Sequence, residues 1–156
     1  MQAGCCRIML FITVGTTDFD PLVAAGDALA AQTGERVVIQ IGHGEVEPQH
    51  AEWLRFALSL EPYYDQAEVV ITHGGLGTLT ELLHRGQRVV GVSNPDRFDR
   101  HQDQILQAFS QANHLIWCQD LKELALAVEQ ARSAHFTPYT PPRSHIHELI
   151  AEFLAR

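Results

Sequence analysis

Apolar residues along this chain fall into short continuous runs separated by longer amphipathic stretches. Residues 7–15, 36–42, 68–72, 87–93 and 115–118 are runs of strand length, rich in Val and Ile. The stretches between them carry helical punctuation. Asp20-Pro21 is expected to open a helix, with Asp20 as N-cap and Pro21 at the first helical position; Gly34 is expected to stop it after about Gln32. Residues 48–60 read as a second helix with Trp53, Leu54, Ala57 and Leu58 on one face. Residues 76–85 form a third, with Gly86 just past its end. Residues 101–112 and 121–132 follow as two more. Strands alternating with helices over short loops predict an α/β domain with a doubly wound parallel sheet. The first, third and fourth runs are apolar on both faces, as strands covered on both sides require.

A length of 156 residues suits one domain. Residues 1–134 are expected to form it. Three of the seven prolines lie in residues 137–143, which read as a linker, and a last amphipathic helix is expected over 144–155. That helix could pack on its own domain or dock a partner. The apolar run 8–14 is too short to cross a bilayer and reads as a buried strand rather than a signal peptide. A cytoplasmic protein is the expectation, reaching a membrane only through a partner. Cys5, Cys6 and Cys118 fit no zinc or redox spacing and read as reduced thiols. The net charge of −8 and the lack of basic tracts argue against nucleic acid. They leave room for a phosphate ligand, because helix N-termini make a local positive field.

In such a sheet, ligands bind beyond the carboxyl ends of the strands. After the third run comes Thr72-His73-Gly74-Gly75-Leu76-Gly77-Thr78, in which three glycines precede a helix. That composition allows close backbone approach to a diphosphate, although a tight turn alone would also use it. Glu81 lies three residues after Thr78, the spacing of a capping box; it is equally suited to accept hydrogen bonds from ribose hydroxyls. After the first run, Gly15, Thr16 and Thr17 precede another helix start and make a second candidate anion site. Asp18-Phe19-Asp20 matches a D-x-D metal pattern only weakly, since Asp20 already has a capping role. After the fourth run come Asn94, then Arg97 and Arg100, which could meet a phosphate or simply be solvated, then His101-Gln102, a pair suited to sugar hydroxyls. His145 and His147 lie roughly 200° apart on a helix, which disfavours a shared metal. His73 is a weak candidate base, or a neutral hydrogen-bonding group at a helix N-terminus.

Taken in order, residues 11–17 with Phe19 and Asp20, then 38–42, then 71–78 with Glu81, then Asn94 and His101-Gln102 resemble the C-terminal donor-binding domain of MurG-type (family 28) glycosyltransferases. They are most similar to its stand-alone small-subunit type, found in the dolichol-pathway UDP-N-acetylglucosamine transferase and in bacterial exopolysaccharide synthesis of PssE type. The resemblance covers about residues 7–112 and departs at Gly75, where Ala is common; that exchange is expected to be tolerated. It implies the Rossmann-like half of a GT-B glycosyltransferase that binds UDP-N-acetylglucosamine or UDP-glucuronate. Transfer would be inverting, without an obligatory metal or a cofactor. A membrane-associated partner subunit would present a lipid-linked acceptor. It also implies that Gly15, Thr16, His73, Gly74, Gly75, Gly77 and Thr78 face the diphosphate, Glu81 the ribose, and His101 and Gln102 the donor sugar, with Asn94 among the donor-binding residues. The alternatives are a UDP-sugar-binding module without turnover and, more remotely, a sugar-nucleotide epimerase.

Overall fold

The computed structural model describes residues 9–96 and 101–142, together with 151 and 154. Six strands lie in one sheet: β1 (Met9–Thr13), β2 (Arg36–Gln40), β3 (Glu52–Leu54), β4 (Ala67–His73), β5 (Arg88–Val92) and β6 (Ile116–Cys118). Every pairing is parallel, and the order is β3-β2-β1-β4-β5-β6. Among residues 9–142 that are described, five α-helices cover it: α1 (Asp20–Thr33), α2 (Glu61–Gln66), α3 (Leu76–His84), α4 (His101–Gln111) and α5 (Leu124–Ser133).

The doubly apolar strands are explained by two cores. Leu10 and Ile12 of β1 join Leu22 and Val23 of α1 and Ala127 and Val128 of α5. Met9 and Phe11, pointing the other way, join Tyr64 of α2, Leu79 and Leu82 of α3 and Leu106 of α4. Gly34 and Gly86 close α1 and α3 as the sequence predicts. Beyond α5, the segment read as a linker carries packing: the Thr137 N–H donates to the Asn113 carbonyl at 2.9 Å, and the Tyr139 ring lies 5.6 Å from Phe109 and 5.5 Å from His114. The expectations for Cys5, Cys6, Arg97, Arg100, His145, His147 and most of the last helix fall outside the described residues.

Three local expectations are corrected. The helix predicted over 48–60 is absent; the segment supplies the edge strand β3. The Asp27 carboxylate on α1 accepts the N–H groups of Gln49, His50 and Ala51, which fixes those amides outside any helix. Arg36 then pairs with Glu52 at 2.9 Å, and β3 aligns Ile39 with Trp53. The supposed apolar face does not exist, since Trp53 and Leu58 are exposed. Helix begins only at Glu61, with Pro62 in its first turn. Second, Phe19 and not Asp20 is the N-cap of α1, with no side-chain cap bond. The Asp20 carboxylate instead accepts from the backbone N–H of Glu45 and Val46. Third, the capping box of Thr78 and Glu81 does not form, because Gly75 is the N-cap of α3 and again no side chain caps it.

Candidate functional site

β1 and β4 are neighbours, yet the chain leaves β1 for α1 in one core and leaves β4 for α3 in the other. This divergence is the topological switch point, and it opens a crevice between the two following loops at the carboxyl end of the sheet.

One wall is the loop after β1. Thr13 Oγ1 donates to Gln40 Oε1 at 2.5 Å and accepts from the Gly15 N–H at 3.1 Å, which sets where the loop leaves the strand. Gly15 then takes φ +66°, a left-handed conformation that favours glycine. Thr17 Oγ1 closes back on the Val14 carbonyl at 2.8 Å. Thr16, at the tip, is exposed.

The other wall is the glycine segment. His73 ends β4, is 9% exposed, and has Nδ1 3.5 Å from Thr72 Oγ1. Its ring packs between the walls: a Cβ built on Gly15 would lie 3.3 Å from His73 Cε1, and one on Gly75 2.8 Å from Nε2. Gly74 is packed under α4, where a Cβ would meet Gln102 Cβ at 2.7 Å and its Cα and carbonyl oxygen at 3.1 Å. Gln102 is thereby seated on the glycine segment, with its Oε1 buried and unpartnered.

α3 then starts without a side-chain cap. Its first intrahelical bond runs from the Leu79 N–H to the Gly75 carbonyl at 3.0 Å, so the N–H groups of Leu76, Gly77 and Thr78 lack intrahelical partners. Gly77 is exposed, and a Cβ there would meet nothing within 4 Å. Together with the dipole of α3, this is an uncapped positive end beside the Gly15 loop.

The remaining candidates are less tightly gathered. Asn94 Nδ2 donates to the Asp18 carbonyl at 3.4 Å, joining the loop after β5 to the loop after β1. His101 and Glu81 are exposed. Glu81 is close enough to Tyr64 to act on it: burial pushes that phenol up and the Glu81 charge adds to the effect, to about 12. Among the described residues no group of three or more His, Cys, Asp and Glu side chains converges on a metal position.

The loop after β3 was missed by the sequence reading. Because β3 is parallel, it opens at the same end of the sheet. Arg55 Nη1 donates to the Gly44 carbonyl at 2.8 Å and ties it to the loop after β2. Phe56 is 48% exposed and sits 4.9 Å from the His43 ring. The signal that could have found it is the helix start at Glu61-Pro62, which leaves the preceding residues to an extended segment.

Comparison with known proteins agrees with this architecture. Residues 9–147 match the Glycosyltransferase family 28 C-terminal domain. The human UDP-N-acetylglucosamine transferase subunit ALG13 is 34% identical over 122 residues, which is 70% of this chain and 11% of that protein. The mouse protein of the same name is 35% identical over 121 residues, 69% of this chain and 10% of its own length. The chain thus spans only about a tenth of these mammalian relatives. Among solved structures, an NMR structure of ALG13 superposes with a TM-score of 0.61 at 17% identity, covering 93% of this chain and 95% of that one. MurG from Acinetobacter baumannii superposes with a TM-score of 0.66 at 20% identity, covering 97% of this chain and 54% of that one. These last two likenesses concern the fold.

Proposed function

The chain belongs to the family 28 glycosyltransferase C-terminal domains, and from that premise we propose that it is a glycosyltransferase subunit that holds a UDP-sugar donor in the crevice between β1 and β4. The observation that carries this reading is the N-terminus of α3, whose first three amides have no intrahelical partner and no side-chain cap among the described residues, beside the Gly15 loop at the switch point. The diphosphate lies against Gly15, Thr16, His73, Gly74, Gly75, Gly77 and Thr78. Glu81 takes the ribose hydroxyls, a role favoured by the absence of a capping box. Gln102, seated on Gly74, takes the sugar with Asn94 and His101. The curated relatives are UDP-N-acetylglucosamine transferase subunits, which favours that sugar over glucuronate and gives an exopolysaccharide product no support.

The reaction is direct displacement at the anomeric carbon, inverting and without an obligatory metal. The bond from that carbon to the diphosphate oxygen breaks as the acceptor hydroxyl adds. The α3 amides and dipole then stabilise the charge that grows on the leaving UDP. The packing of His73 against two glycines favours a place beside the phosphates over one as the base. The base, like the lipid-linked acceptor, belongs to a membrane-associated partner, and the last helix expected over residues 144–155 is the segment proposed to dock it. Among the described residues no helix is long and apolar enough to cross a membrane. The test is transfer of labelled sugar from UDP-N-acetylglucosamine to a lipid-linked acceptor by the chain with its partner subunit. Product that requires both subunits supports the reading. Donor binding with no turnover under any pairing would leave a regulatory binding module.

A further inference from the structure

The two glycines that touch His73 touch the same edge of its ring. The Cβ position of Gly15 lies 3.3 Å from Cε1 and 3.9 Å from Nε2, and that of Gly75 lies 2.8 Å from Nε2 and 3.2 Å from Cε1. The Cε1–Nε2 edge therefore fills the gap between the loop after β1 and the start of α3. The ring has little freedom to leave it. The backbone of His73 is paired with Val92 of β5, its Nδ1 faces Thr72 Oγ1, and the residue is 9% exposed.

We propose that Gly75 is a positioning residue: its missing side chain creates a slot that holds the His73 imidazole, with its Cε1–Nε2 edge forming the floor on which a diphosphate rests. This rests on the donor reading above. A diphosphate gripped by both loops must span the gap that the ring edge fills. A methyl group at position 75 would stand 2.8 Å from Nε2, inside contact distance, so either the ring or the first turn of α3 has to move. The substitution Gly75→Ala is therefore not expected to be neutral in this chain. Gly75 is also the clean place to test the slot. Its φ of −69° and ψ of 119° suit any L residue, whereas Gly15 at φ +66° would add backbone strain.

The experiment is a double-mutant cycle with Gly75→Ala, His73→Ala and the pair, read by UDP affinity and by the NMR signals of the His73 ring. Gly75→Ala is expected to shift the ring signals and to weaken UDP binding about ten-fold, the loss of one hydrogen bond to a charged group. In the His73→Ala background the same substitution should cost nothing further, because the ring it displaces is gone. Gly75→Ser places the same Cβ while supplying an N-cap hydroxyl, and covers a loss of stability in the Ala variant. Unchanged ring signals, or an equal loss of affinity in both backgrounds, would overturn the slot. If the wild-type chain itself fails to bind UDP, the donor reading falls, and the ring signals alone then decide whether Gly75 positions His73.

Discussion

Asp27 holds the turn that makes β3 possible, and replacing it should cost stability in a pH-dependent way. Its Oδ1 accepts the N–H of His50 at 2.6 Å and of Ala51 at 2.8 Å; its Oδ2 accepts the Gln49 N–H at 3.0 Å and lies 3.3 Å from His50 Nδ1. The side chain is 16% exposed. Burial pushes the carboxyl up, but the three backbone donors and His50 outweigh it and hold it at about 2 against an ordinary 3.8. Asp27→Asn keeps the shape and turns one acceptor oxygen into an amide facing N–H donors. Linkage from the lowered value gives about 2 kcal/mol at neutral pH. That corresponds to a fall in Tm of about 4–8 °C for a chain of this size. Because the folded value lies below the unfolded one, the contribution is complete above about pH 5 and fades as pH falls through 4 toward 2. Urea unfolding of both proteins at pH 7, 4 and 3 measures it. The gap in midpoint should narrow steadily toward acid. A gap below about 0.5 kcal/mol at pH 7, or one that does not change with pH, would refute the anchoring role.

Two further substitutions separate binding from folding. Gly77→Ala adds a methyl group that meets nothing within 4 Å, so thermal unfolding should show stability unchanged or raised by up to about 1 kcal/mol, while calorimetry shows UDP affinity reduced because the methyl enters the ligand's space. Glu81→Ala removes an exposed side chain that caps nothing, so the midpoint should move by less than about 0.5 kcal/mol. UDP affinity should drop about ten-fold, and 2′-deoxy-UDP, which lacks a ribose donor, should bind the variant and the wild type more nearly alike.

Sequence reading located β1, β2, β4, β5 and β6 with α1, α3, α4 and α5, and it is firmest where long apolar runs carry clear punctuation. β1, β4 and β5 are buried on both faces, and α1 and α3 end in glycine. β3 was illegible because it has three residues, half-exposed side chains and no period; it exists through Asp27, which is 22 to 24 positions away from the amides it holds. The role of Asp20 was misread for a similar reason, since its partners Glu45 and Val46 come from the loop after β2. At the site, the glycine segment was visible as composition at a strand end. The seating of Gln102 on Gly74 joins residues 28 apart through α4, and the Gly15–His73–Gly75 contact joins two loops across the switch point. Both depend on the sheet order, which no local pattern carries.

The central claim is that the crevice between β1 and β4 takes a uridine diphosphate compound. Thermal unfolding of the chain with UDP, UDP-N-acetylglucosamine, UDP-glucuronate and ADP tests it directly. At a concentration of about 100 Kd for UDP-N-acetylglucosamine, binding adds about 2.7 kcal/mol and should raise Tm by about 5–10 °C; UDP and UDP-glucuronate at that same concentration should raise it less, and ADP should leave it in place. A folded chain whose Tm none of the uridine compounds moves, or which ADP moves as far, would contradict the account.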